Sequence, residues 1–200
     1  MLKLKKIAIT GGIASGKTSV CQYFQELGAY VVNADSIVHE LLKPNTDLGQ
    51  KIIGLLGPDI VENGQFNRKA IAEKVFKDLN QLQKFEEVIH PALFMKIEEL
   101  YKKTLRQEKY KSFVVEISLL FELGEEKNYD AVITVISSTT LARERFEKSG
   151  FSKTEYNLRM KRQLNPEIKA KQAQYIIQNN GSLEDLQKKV FELNQIIQQQ

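Results

Sequence analysis

An α/β fold follows from three features of the chain. The octapeptide Gly11-Gly12-Ile13-Ala14-Ser15-Gly16-Lys17-Thr18 fits G-x-x-x-x-G-K-[ST] in full. It lies between a short apolar run, Lys6–Thr10, and a helix-forming stretch, Ser19–Leu27, which is the strand-to-helix setting a phosphate-binding loop requires. Further β-branched runs, Tyr30–Asn33, Ser112–Ile117 and Asp130–Ile136, alternate with helical stretches, as a sheet covered by helices on both faces demands. Length and composition agree: 200 residues, 42% hydrophobic and 27% charged, suit one domain with an ample core. The expectation is a P-loop NTPase fold in a single domain spanning 1–200.

Each element follows in order. The glycines of the loop let backbone N–H groups face phosphate oxygens, and the helix N-terminus adds partial positive charge. Lys17 is placed to reach the β- and γ-phosphates, and the Thr18 hydroxyl to ligate Mg²⁺. Gly12, Ile13, Ala14, Ser15, Gly16, Lys17, Thr18 and Ser19 are the candidate nucleotide contacts. Gly28 ends the helix, and Tyr30–Asn33 makes a second strand leading to Ala34-Asp35. Ligands of open α/β sheets bind beyond the carboxyl ends of the strands, so Asp35 could hold Mg²⁺ or accept a proton from an attacking hydroxyl. It could at the same time cap a helix over 36–42. His39, one turn along, reads as a surface or packing residue.

Residues 43–110 are predominantly helical, with stretches over Gly49–Leu56, Arg68–Lys77 and Leu79–Leu105 punctuated by Pro58, Gly64 and His90-Pro91. The strand signal is weak, and the segment reads as a helical, acceptor-binding insertion. Arg68 and His90 are its most chemically suggestive residues. The strand Ser112–Ile117 carries Glu116 to a position suited to a second Mg²⁺-holding acid. After the apolar strand Asp130–Ile136, the segment Arg143–Arg162 carries seven basic residues against three acidic ones. Either this is a solvated helical hairpin, or it is a lid that brings arginines to the charge of phosphoryl transfer. Arg159 and Gln163, four apart, would share one helix face. Ala173–Ile177 reads as a last strand. Ser182–Ile197 reads as a last helix, packing on the sheet through Leu183, Leu186, Val190, Leu193 and Ile197, before a frayed Gln198–Gln200 tail. The core is thus 1–42, 111–137 and 166–200, with the insertion at 43–110 and the lid at 138–165.

Composition narrows the function. A net charge of +4 suits an anionic substrate but is too diffuse to argue for nucleic acid. The single cysteine, Cys21, permits no intrachain disulfide and falls on the apolar side of the first helix, where it packs. No apolar h-region precedes the first strand, and no run approaches a membrane span. The expectation is a cytoplasmic protein with neither membrane nor nucleic-acid partner. A guanine-reading N-K-x-D and a D-x-x-G switch are both missing from the sequence. The residues themselves point to a small-molecule kinase, transferring phosphate from ATP to a hydroxyl or phosphate acceptor.

Read together, several stretches resemble the dephospho-CoA kinase family. Thr10–Thr18 matches its T-G-G-I-x-S-G-K-[ST], and Asn33-Ala34-Asp35 its D-A-D. Leu56-Gly57 and Asn63–Arg68 match its fG…dG.ldR, and Phe85–Pro91 its L-e-x-I-x-H-P. Glu116–Glu122 matches D-x-P-L-L-F-E, Arg159–Gln163 matches R-x-x-x-Q, and Ile176–Ser182 matches v-I-x-N-x-G-s. Departures are Asn33 and Glu116 at usual aspartates, Ser118 at a proline, and Ser149 where a second lid arginine is usual. The resemblance implies a five-stranded parallel sheet flanked by helices, with an acceptor-binding helical lobe and a lid. It implies ATP and Mg²⁺ as cofactors and phosphorylation of the ribose 3′-hydroxyl of dephospho-CoA. Asp35 would orient or deprotonate that hydroxyl. Arg145, and Arg143 as a second, would offset charge on the phosphoryl group. Arg68, His90 and Glu122 would contact the acceptor. A kinase for another acceptor, such as a nucleoside or nucleotide, and a non-catalytic ATP-binding homologue remain the alternatives.

Overall fold

The computed structural model describes residues 4–199. Met1–Lys3, from the charged start of the chain, and Gln200, from its glutamine tail, lie outside the described residues. The chain divides into two compact units, one built from residues up to Asn33 and from Lys103 onward, the other from Ala34–Lys102.

The first unit holds a sheet of five parallel strands: β1 (Lys5–Gly11), β2 (Ala29–Asn33), β5 (Ser112–Glu116), β6 (Ala131–Ile136) and β7 (Tyr175–Gln178). Their order is β2-β5-β1-β6-β7. The central strand β1 pairs Ile9 with Glu116 on one side and with Ile133 on the other. Both faces are covered, so Ile7, Ile9, Val114 and Ile133 are fully buried, the continuous apolar pattern of a doubly covered parallel sheet. Helix α1 (Lys17–Glu26) packs on it through Val20, Cys21 and Phe24. Complete burial of Phe24 alone contributes about 2–3 kcal/mol. Helix α9 (Leu183–Gln199) adds Leu186, Val190, Leu193 and Ile197. Leu183, expected in that stripe, is exposed, because it is the first residue of the helix; Gln198 and Gln199 still belong to α9 rather than to a frayed tail.

Between β6 and β7 runs a basic helical hairpin, α6 (Thr139–Lys148) and α7 (Lys153–Met160), then α8 (Pro166–Gln172). Ser138 caps α6, and Ser152 with Glu155 forms a capping box on α7. Because α7 ends at Met160, with Arg162 N–H tightening onto the Arg159 carbonyl, Arg159 and Gln163 do not share a helix face as expected. Helix α8 was not anticipated, although Asn165 as cap and Pro166 at the first position are start signals.

The second unit contains α2 (Ala34–Leu41), α3 (Asp47–Leu56), α4 (Arg68–Lys77) and α5 (Leu79–Leu105), which runs past the unit boundary and continues through Pro91. Its own core gathers Ile52, Leu56, Ile60, Ile71, Val75 and Ile89. It also holds a hairpin the weak strand signal concealed, β3 (Val61–Glu62) with β4 (Gln65–Phe66). The turn is Asn63-Gly64, both at positive φ, the dipeptide most suited to a two-residue hairpin.

Candidate active site

The strand-loop-helix reading of 11–18 corresponds to β1, a loop over Gly12–Gly16, and α1. Gly11 has φ 141°, and a Cβ there would run into the Val135 carbonyl. Gly16 caps α1 at φ 99°, a left-handed conformation that glycine adopts without penalty. Lys17 is buried and folds back over the loop, its Nζ donating to the Gly12 carbonyl at 2.8 Å and the Gly11 carbonyl at 3.4 Å.

Beside the loop lies a small oxygen-rich cluster. Thr18 Oγ1 donates to Glu116 Oε1 at 2.9 Å, and Asn33 Nδ2 donates to Glu116 Oε2 at 2.9 Å. Register explains the convergence, since Glu116 ends β5 directly opposite Asn33 at the end of β2. Burial, with the negative charge of Glu116 next, pushes the Cys21 thiol well up, so this cysteine is a packed thiol and no nucleophile. Among the described residues no group of three His, Cys, Asp or Glu forms an all-protein metal cage. The Thr18 and Glu116 oxygens nonetheless suit magnesium, which takes one or two protein ligands and completes its shell with water and phosphate.

On the other side of the loop, a cavity of about 310 Å³ is lined by Gly12, Ile13, Ser138, Tyr156 and Met160, among others. The Arg143 guanidinium lies 5.7 Å from the Tyr156 ring centroid. Burial pushes the Tyr156 phenol up while Arg143 pulls the other way. Arg145 donates through Nη1 to the Asn179 carbonyl at 3.1 Å. Arg159 instead stacks on Phe151 and Phe146, at 4.6 and 5.3 Å from their centroids.

Glu122 enters an ion pair that the sequence did not foreshadow. Its Oε1 lies 2.8 Å from the Nζ of Lys169, whose side chain is wholly buried. The same oxygen accepts from Leu164 N–H at 2.7 Å, and Lys169 donates a second bond to the Ser118 carbonyl at 2.6 Å. Burial lowers the Lys169 pKa, and Glu122 opposes that shift.

In the second unit, Asp35 is an exposed residue in the first turn of α2, two positions past the end of β2. It is therefore inside the helix rather than its cap, where a carboxylate favours the helix dipole. Arg68 lines a cavity of about 340 Å³ with His39, Lys43 and Phe66. His39 is exposed, as expected of a surface residue, and no spacing in the sequence points to its grouping with Arg68. His90 is not among that cavity's lining and sits 6.4 Å from Phe94, ring to ring.

Comparison with known proteins gives a consistent match. The dephospho-CoA kinase (CoaE) family model matches residues 5–185. A dephospho-CoA kinase of Chlamydia pneumoniae is 45% identical over 193 residues, 96% of either chain. Among solved structures, a Thermus thermophilus protein superposes with a TM-score of 0.80 at 29% identity, over 96% of this chain and 97% of its own. A dephospho-CoA kinase from Campylobacter jejuni follows at 0.72 and 27%, over 97% of both chains.

Proposed function

The chain belongs to the dephospho-CoA kinase family, and from that premise we propose how its residues divide the work of phosphorylating dephospho-CoA with ATP. The observation that carries the reading is the Lys17 loop beside the Thr18–Glu116 pair, within a family match that spans nearly the whole chain. This favours dephospho-CoA over another acceptor or an idle nucleotide binder.

The residues Gly12–Ser19 hold the triphosphate by their N–H groups, with the nucleoside in the cavity flanked by Ile13 and Tyr156, the latter with the Arg143 guanidinium beside its ring. Thr18 and Glu116 would hold Mg²⁺, which would supply neutralisation of the phosphate charge. The oxygen of the ribose 3′-hydroxyl forms a bond to the γ-phosphorus as the bond to the β,γ-bridging oxygen breaks. Asp35 orients the hydroxyl and takes its proton, and ADP leaves. Lys17 and Arg145 stabilise charge spread over the transferring group. Arg68 and His90 contact the acceptor, and Glu122 is a third candidate there. The enzyme acts in the cytoplasm on small molecules; among the described residues no helix is long and apolar enough to cross a membrane.

The direct test is ADP release with Mg²⁺ and ATP, with and without dephospho-CoA, and the product's mass. Acceptor-dependent turnover to a product one phosphate heavier is expected. ATP binding without such turnover, alongside transfer to a nucleoside or nucleotide, would overturn the reading.

A further inference from the structure

Asn179, one residue past β7, touches both halves of the phosphate machinery. Its Nδ2 donates to the Ser15 carbonyl at 2.8 Å, and its own carbonyl accepts from Arg145 at 3.1 Å. Its N–H donates to the Ile136 carbonyl at 2.8 Å, which extends the β6–β7 pairing and holds the residue rigidly. Asn179 is buried, as is Ser15.

A phosphate-binding loop turns its N–H groups toward the anion, so its carbonyls must turn into the protein and find donors there. For Ser15 that donor is the Asn179 amide. The approach is close enough that a Cβ on Gly16 would collide with Nδ2. Gly16 is therefore required both by its φ and by its neighbour. The next residue continues the connection, as Asn180 Oδ1 accepts from the N–H of Ser138, the cap of α6. Helix α6 carries Arg143 and Arg145.

We propose that Asn179 is a positioning residue for phosphoryl transfer, its side chain setting the phosphate loop while its backbone carbonyl sets Arg145. The loop N–H groups and the arginine must be in place before charge develops, because donors that reorganise during the reaction lose much of their effect. A single rigid residue bonded to both keeps them in register. The inference rests on the kinase reading, which wild-type turnover of dephospho-CoA tests separately.

Asn179→Asp keeps the shape but replaces the amide donor with an oxygen facing the Ser15 carbonyl. A volume-filling role predicts wild-type kinetics. The positioning role predicts a KM for ATP raised roughly tenfold and a kcat lowered roughly tenfold, as an unsatisfied buried carbonyl would cost. The KM for dephospho-CoA should stay within about twofold, and unfolding temperature should not account for the loss. Asn179→Ser, which keeps a hydroxyl donor and the backbone carbonyl, should retain more activity and serves where the aspartate variant does not fold. Asn179→Asp keeps the backbone carbonyl and reaches Arg145 only by shifting it, so in a double-mutant cycle with Arg145→Ala part of the kcat loss should be shared, the product of the single losses exceeding the loss in the double variant. Unchanged ATP kinetics in Asn179→Asp and Asn179→Ser, or losses that multiply independently of Arg145, would overturn the proposal.

Discussion

Removing the Glu122 carboxylate separates two roles this residue could have. Family resemblance makes it an acceptor contact, whereas its geometry makes it the partner of Lys169. In Glu122→Ala the Lys169 ammonium, wholly buried, keeps only the Ser118 carbonyl, and Leu164 N–H loses its acceptor. Stranding a buried charge costs about 3–5 kcal/mol. The Glu122 side chain is 16% exposed, so water can reach the gap, and the lower end, about 3 kcal/mol, applies. For a chain of this length that is a fall of roughly 6–12 °C in unfolding temperature. Burial already holds the Lys169 pKa below its ordinary value of about 10.4, with Glu122 resisting. Without Glu122 the native state binds this proton still more weakly than the unfolded chain does. Stability must then rise with pH through the interval between the native value and about 10.4, so the deficit is smaller at about pH 9 than at pH 7. Thermal melts at both pH values read this directly. Replacing both partners, Glu122→Leu with Lys169→Met, should recover most of the loss. A fall under about 2 °C, together with a raised KM for dephospho-CoA, would refute the ion-pair argument and return Glu122 to the acceptor.

The remaining predictions concern the phosphates, the metal and the α6–α7 hairpin. Lys17→Ala should lower kcat at saturating ATP by at least about 10²-fold, because it removes a charge aimed at the transition state; near wild-type turnover would exclude Lys17 from the chemistry. Glu116→Gln keeps an acceptor for Thr18 but removes the negative charge, so the Mg²⁺ concentration for half-maximal rate should rise roughly tenfold, and an unchanged titration would exclude Glu116 from the metal site. In α7 the Ser152 N–H, and then its hydroxyl, hold the Glu155 carboxyl below its usual range. The support that gives the helix is complete above the unfolded carboxylate value of about 4.3 and disappears as pH falls through the lower native value. Ser152→Ala removes the hydroxyl but keeps the N–H, so it should speed amide exchange over 153–160 roughly fivefold near neutrality, and the difference should narrow in acid without closing, because the cap bond from Glu155 N–H to the hydroxyl does not titrate.

What could be read from the chain and what could not divide along physical lines. The phosphate loop, Lys17, Thr18 and Glu116 stand at strand ends and a helix start, and a strand end fixes where its last side chain goes. Their grouping on one sheet edge was therefore visible in the sequence, and the Thr18–Glu116 hydrogen bond agrees with it. The β3–β4 hairpin and α8 were missed although Asn63-Gly64 and Asn165-Pro166 announce them, because two-residue strands and a seven-residue helix leave no periodicity to find. Lys169 and Asn179 are a different case. Lys169 looks like any charge on a short helix, yet it is buried against a carboxylate 47 positions earlier. Asn179 looks like a turn residue after a strand, yet it holds a carbonyl 164 positions away. A residue that acts on a ligand must sit where the backbone delivers it, and that delivery has a local signature. A residue that acts through another residue needs only a neighbour, and the fold supplies the neighbour from anywhere in the chain. Asn179→Asp and Glu122→Ala are thus the more demanding tests of the structure, since the contacts they remove exist only in the folded arrangement.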